Sequence, residues 1–153
     1  TVAADARYLA AQGWVPRDIA GVVAMGCRLN DLVEVRASPP TDYERSWVPP
    51  NRVDDFMKEE VAFTSLQQRN DVVPAAHVTS QLPPSLILIA DAERFFPPVL
   101  RDAAEFVGRA QSAGATADLV ILRDRTHKPA VKMMVTSTDP AVMHVEAFVR
   151  AHE

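Results

Sequence analysis

Ionisable side chains follow two short apolar runs of the sequence. Asp91 and Glu93 come directly after one run, and His127 lies a few residues beyond the other. If both runs are parallel strands, their carboxyl ends meet at one edge of a sheet, where α/β proteins place their functional loops. A carboxylate at this edge can accept one imidazole N–H and leave the other ring nitrogen free to take a proton. The residue types therefore predict a histidine base, His127, oriented by Glu93 or by Asp91.

A structural interpretation of the same residues stays open. A single histidine in a loop is more often solvent-exposed and without a chemical role, and Asp91 can simply cap the helix that follows its strand. His77, which precedes the Pro83-Pro84 pair, is expected to be structural.

The order of the predicted elements determines whether these loops can meet. A continuous apolar run rich in β-branched residues is typical of a strand covered on both faces, and apolar residues at helical spacing indicate a helix with one buried face. The elements predicted in this way are a helix over 5–12, a strand over 19–25, a long excursion over 28–70 with a short helix over 54–66, a strand over 86–90, a helix over 97–113, a strand over 117–122, a loop over 123–128 and a helix over 140–151. Strands that alternate with helices predict an α/β domain with a parallel sheet.

Composition narrows the classes of function. With 16 basic and 20 acidic residues, the net charge of -4 gives no reason to expect a nucleic-acid partner. No apolar stretch approaches the roughly 20 residues of a membrane span, and no signal peptide is visible. The compartment is left open, with the cytoplasm as the default expectation. The single cysteine, Cys27, excludes an internal disulfide and a thiolate metal cluster, and neither a metal nor a cofactor is predicted.

An ordered series of segments resembles the esterases of the α/β-hydrolase fold, most closely the hormone-sensitive-lipase-like and feruloyl-esterase-like carboxylesterases. Residues 5–23 resemble the segment after the nucleophile helix, and residues 73–78 with 82–89 resemble the lead-in to the acid strand. In that family the strand typically ends His-Gly-Asp-x-Asp-x-x-Val-Pro, and its second Asp is the triad acid. The sequence IADAERFFP over 89–97 places Glu93 on that position. His127 is similarly placed to the family's catalytic histidine, and the closing helix is similar as well.

The resemblance implies a Ser-His-acid hydrolase of small-molecule esters, although part of the motif set is missing. No Gly-x-Ser-x-Gly elbow occurs in the chain, and in the family order the serine and the oxyanion loop would lie upstream of Thr1. We therefore expect residues 1–153 to form the C-terminal portion of one hydrolase domain, completed by an N-terminal half or by another chain. The excursion over 28–70, with Trp47 and Phe56, is a candidate lid.

Three alternatives stay open at this point. Cys27, just past the first strand, is a weak candidate for a substitute nucleophile, because free cysteines are usually small buried hydrophobes. The chain can also be a non-catalytic binding or scaffold module that keeps a hydrolase-like half-fold. A peptidase or amidase on the same fold cannot be separated from an esterase by these residues.

Overall fold

The computed structural model describes residues 3–27, 29, 67, 71, 73–92 and 97–153. Three parallel strands form one sheet in the order β1 (Val22–Met25), β2 (Ser85–Ala90) and β3 (Ala117–Leu122). The register aligns Val22 with Ser85 on one side of β2, and Ser85 with Ala117 on the other. The carboxyl ends of the strands therefore share one edge of the sheet.

Helices surround this sheet in the described part of the chain. They are α1 (Ala6–Ala10), α2 (Pro97–Ser112), α3 (His127–Lys132) and α4 (Pro140–Ala151), together with two 3-10 turns over Pro16–Asp18 and Pro74–His77. Strands and helices alternate along the chain, as the sequence predicts for an α/β domain. None of the described helices combines the length and the apolarity needed to cross a bilayer.

The central strand β2 is buried along its whole length, and its two faces pack against different helices. Ile87 and Ile89 belong to a core that includes Phe106 of α2. Leu86 and Leu88 point to the opposite face, where the core includes Phe148 of α4. Because successive side chains of a strand alternate between faces, one run of apolar residues binds two helical layers. The result is a three-layer arrangement of helices, sheet and helices.

The ends of the two long helices follow from local chemistry. Asp139 is the N-cap of α4 and accepts a hydrogen bond from the Ala141 N–H at 2.8 Å, with Pro140 at the first helical position. After α2, Gly114 has a φ of 84°, a left-handed conformation that glycine adopts without steric cost. Both boundaries agree with the sequence prediction to within a residue or two.

Three elements differ from the prediction. The helix α1 ends at Ala10 rather than at residue 12. The first strand begins at Val22 rather than at residue 19, and Val23 is 42% exposed, so β1 is not covered on both faces by the described residues. The predicted loop over 123–128 is shorter, because α3 begins at His127. Pro129 is compatible with this helix, since the first N–H groups of a helix have no intrahelical acceptor to lose. The excursion over 28–70 and its short helix over 54–66 lie outside the described residues, apart from single positions.

A close approach between Gly21 and the Phe148 ring joins β1 to α4. A Cβ atom built on Gly21 would lie 2.7 Å and 2.8 Å from two ring carbons of Phe148, well inside van der Waals contact. A larger residue at this position would require the Phe148 ring to move out of its place in the core.

We expect Gly21→Ala to lower the free energy of unfolding by about 1–3 kcal/mol, because the new methyl group overpacks the core. Gly108→Ala is the matched control: it lies within α2 with no heavy atom within 4 Å of the new Cβ, and we expect it to stabilise the chain by about 0.5–1 kcal/mol. Urea unfolding measures both changes. Combining Gly21→Ala with Phe148→Leu should cost less than the sum of the single substitutions, and strict additivity would contradict the proposed contact.

Candidate functional site

The loops that follow β2 and β3 are hydrogen-bonded to each other at the carboxyl edge of the sheet. The Asp91 N–H donates to the Leu122 carbonyl at 3.1 Å, and the Ala92 N–H donates to the Arg125 carbonyl at 2.9 Å. In return, the Arg125 N–H donates to Oδ1 of Asp91 at 3.3 Å. These three bonds fix the course of one loop against the other.

Glu93 and His127, the two residues predicted to carry the chemistry, follow this junction in the sequence. Glu93 follows Ala92 directly and lies outside the described residues. The backbone of His127 is described and begins α3, two residues after Arg125, while its side chain lies outside the description. The contact between Glu93 and His127 therefore stays a prediction, but the backbone segments that lead into them are adjacent.

Asp91, the alternative acid, is exposed at the end of β2. Its carboxylate accepts the Arg125 N–H, so it serves to join the two loops and does not cap a following helix in the described contacts. One of its oxygens is already used by a backbone amide, which leaves less of the carboxylate for an imidazole.

A buried ion pair connects the same junction to the last helix. The guanidinium of Arg125 donates from Nη1 to Oδ1 of Asp139 at 3.0 Å and from Nη2 to Oδ2 at 2.7 Å. Arg125 is 8% exposed and Asp139 6% exposed. The two hydrogen bonds from Arg125 hold the pKa of the Asp139 carboxyl below its ordinary value against the opposing effect of desolvation, and the same contact raises the pKa of Arg125.

The sequence did not reveal this pair. Asp139 is recognisable as an N-cap and Arg125 as a residue near the predicted base, but nothing in their types joins them across the intervening chain. The available signal was a basic residue in a loop after a buried strand, followed by an acidic N-cap, which is common in proteins.

His77 lies in a separate polar cluster at the N-terminal helix. Its Nδ1 is 3.7 Å from Oδ2 of Asp5, and its Nε2 is 3.1 Å from the Asp71 carbonyl. Asp5 caps α1 and binds Arg7 through two side-chain nitrogens, and these bonds lower the pKa of Asp5 from 3.8 to about 2. These contacts support the expected structural role of His77.

Cys27, the weak candidate for a substitute nucleophile, and the buried Ser85 lie in described positions. The Cys27 thiol is exposed after the end of β1 and donates to the Met25 carbonyl at 3.3 Å. Ser85 is buried at the start of β2, and its hydroxyl donates to the Pro83 carbonyl at 2.8 Å. Ser85 is thus at the edge of the sheet opposite to the junction. Cys27 carries a thiol and Ser85 lies at the wrong edge of the sheet, so neither residue provides the serine hydroxyl of a Ser-His-acid mechanism.

Other features of the described residues do not converge on this site. No group of three His, Cys, Asp or Glu side chains within them could hold a metal ion. An open groove of about 690 Å³ lies between α2 and the second 3-10 turn, lined in part by Ala75, Val78 and Arg109. Its lining includes no residue of the loops after β2 and β3.

Acid should destabilise the chain through Asp139. Since the pKa of its carboxyl is lower in the folded chain, the contribution of Asp139 to stability is complete above the unfolded pKa of about 3.9 and is lost as the pH falls through the folded value. Asp139→Asn should therefore show a shallower fall in the free energy of unfolding between pH 5 and pH 2.5 than the wild type. Asp118→Asn, which removes an exposed carboxylate from β3, is the control, and an equal flattening in both variants would contradict the assignment.

Comparison with solved structures places this geometry in a known fold. A crystal structure of EstE5 soaked with ethyl alcohol matches with a TM-score of 0.63 and 19% sequence identity, over 99% of this chain and 49% of that chain. Esterase 2 of Thermogutta terrifontis, phosphonylated by sarin, matches with a TM-score of 0.51 and 14% identity, over 90% of this chain and 43% of that chain. The chain thus spans about half the length of the structures it matches.

Sequence comparisons add no closer relative, since neither a family model nor a curated protein matches the chain. At these identities the structural likeness shows the fold alone. The parallel three-stranded sheet with its flanking helices is a partial α/β-hydrolase fold of the kind found in esterases.

Proposed function

We propose that this chain supplies the histidine and the acid of a carboxylic ester hydrolase. The observation that carries the proposal is the hydrogen-bonded junction at the carboxyl edge, where Ala92 meets Arg125. The next residue along one loop is Glu93, and the second residue along the other is His127. The fold is esterase-like, and in α/β folds the loops at this edge of the sheet carry the functional residues.

The mechanism follows from the order of these groups. A serine from outside the chain attacks the ester carbonyl, and His127 takes the serine proton as the new C–O bond forms. His127 then returns this proton to the leaving alcohol, which leaves an acyl-enzyme that water hydrolyses in the same way. The Glu93 carboxylate orients the imidazole and stabilises the imidazolium that forms in each half of the reaction.

The serine is proposed to lie in the N-terminal half of the domain or in another chain. In the described part of the sheet β1 is an edge strand, and its Val23 is 42% exposed. A partner strand that carries the nucleophile elbow would cover this edge and bring the serine to the rim that the loops after β2 and β3 share.

The 153-residue chain by itself should hydrolyse p-nitrophenyl acetate at close to the background rate, because loss of the serine alone typically lowers turnover by on the order of 10⁴ or more. The rate is measured at 405 nm beside a Cys27→Ala variant. Robust turnover that Cys27→Ala abolishes would overturn the proposal and identify the cysteine as the nucleophile. Turnover of p-nitroacetanilide in preference to the ester, in the protein that includes the serine, would instead identify an amidase.

The identity of the acid can be tested in this chain without the serine. A carboxylate that accepts the Nδ1–H of His127 holds the neutral ring in that tautomer, which long-range ¹H–¹⁵N spectra report directly. We expect Glu93→Ala to shift His127 toward the Nε2–H form, and Asp91→Ala to leave the tautomer unchanged. The reverse pattern would assign the role to Asp91, and no change in either variant would remove the acid from the proposal.

A further inference from the structure

We infer that Arg125 is a positioning residue for the proposed reaction: it holds the chain that enters His127 against the chain that enters Glu93. This inference rests on the proposed function. It adds the buried Arg125–Asp139 pair to the residues on which the reaction depends. Arg125 takes part in three sets of hydrogen bonds: two join it to the loop after β2, and the third joins it to Asp139 at the start of α4.

The backbone of Arg125 holds the two loops together. Its carbonyl accepts the Ala92 N–H at 2.9 Å, and its own N–H donates to Oδ1 of Asp91 at 3.3 Å. Both polar groups of one peptide residue are therefore bound to the opposite loop. A displacement of Arg125 would move the attachment points of His127 and Glu93 relative to each other.

The side chain of Arg125 holds that backbone in place. Its guanidinium forms two parallel bonds with Asp139, and the same Asp139 Oδ1 accepts the Ala141 N–H at the start of α4. The helix α4 is packed on the sheet through Ala141 and Phe148. The two guanidinium bonds therefore attach the loop after β3 to a fixed part of the core. Lysine has one ammonium group and cannot reproduce two bonds in a fixed plane.

The turn before Arg125 depends on such a restraint. Asp124 has a φ of 56°, a left-handed conformation that a non-glycine residue adopts at a cost and keeps only where the surroundings determine it. Leu122 restrains the turn on one side as the buried end of β3, and the Arg125–Asp139 pair restrains it on the other.

Arg125 is too buried and too fully engaged to act on a substrate directly. Its guanidinium is bound to Asp139, and only 9% of its side-chain surface is exposed. Its influence on the reaction must therefore pass through the position of the backbone. This separates it from His127 and Glu93, which are proposed to touch the reacting atoms or each other.

The test measures hydrogen exchange of the Ala92 amide, whose acceptor is the Arg125 carbonyl. Arg125→Lys leaves that carbonyl in place, so faster exchange at Ala92 reports the loss of the side-chain restraint and not of the acceptor. We expect at least a ten-fold increase at Ala92, with exchange of the Leu88 amide in the central strand unchanged. Arg7→Lys is the matched control, because Arg7 also binds an N-cap aspartate but joins α1 to Asp71 and not to this junction.

A second variant covers the case in which Arg125→Lys does not fold. Arg125→Met combined with Asp139→Ser leaves no unpaired buried charge and keeps a hydroxyl to cap α4. The same ten-fold effect at Ala92 is expected. Exchange at Ala92 within two-fold of the wild type in every folded variant would overturn the inference, whatever the activity of the protein.

Kinetics separate this inference from the proposed function. In the protein that includes the serine, Arg125→Lys should lower kcat by about 10- to 100-fold with KM changed less than about three-fold, because a small misplacement of a catalytic group affects the transition state. A wild-type protein with no esterase activity would refute the proposed function, and the exchange result would then decide only whether Arg125 holds the two loops together. Active wild type with an unchanged kcat in Arg125→Lys would refute only the positioning role.

Discussion

Burial of the β2 strand on both faces is the constraint on which the rest of the structure depends. Its alternating side chains contact α2 on one face and α4 on the other, while its backbone pairs with β1 and β3. These contacts end over the last three residues of the strand: the pairing with β1 stops at Leu88, and the pairing with β3 continues to Ala90. The first polar groups after that point, beginning with Asp91, are therefore presented at a rim whose position is fixed by the whole sheet.

The buried Arg125–Asp139 ion pair restrains the loops after β2 and β3 in addition to the sheet. A loop that leaves a sheet is normally free to move, because its backbone groups can bond to water. Here the Ala92 backbone and the Asp91 side chain are bound to the backbone of Arg125, and the side chain of Arg125 is bound to the capping residue of α4. A buried pair of this kind contributes little net stability, but breaking it leaves a charge without a partner, so it selects one arrangement over others.

The parts of the fold that were predictable are those governed by local pattern. The apolar runs of β2 and β3, the Asp139-Pro140 start of α4 and the glycine after α2 each carry their own signal in a few adjacent residues. The helix α3 was not predicted, because six residues are too few to show a helical period, whereas packing of Ala130 on the sheet favours it. The Arg125–Asp139 pair was missed for a related reason, since an ion pair between loops depends on the tertiary fold.

The half-exposed state of β1 and the absence of a nucleophile elbow have a common explanation under the proposed function. An apolar strand at the edge of a parallel sheet presents unpaired backbone groups, which attract another strand. In the described sheet β1 is one of the two edge strands, and its Cys27 end shares the rim that carries the His127 loop. A strand added there would cover Val23, and its following turn would emerge beside the two loops that Arg125 joins. The same contact that completes the sheet would then complete the catalytic site, so that hydrolysis and burial of β1 depend on one partner.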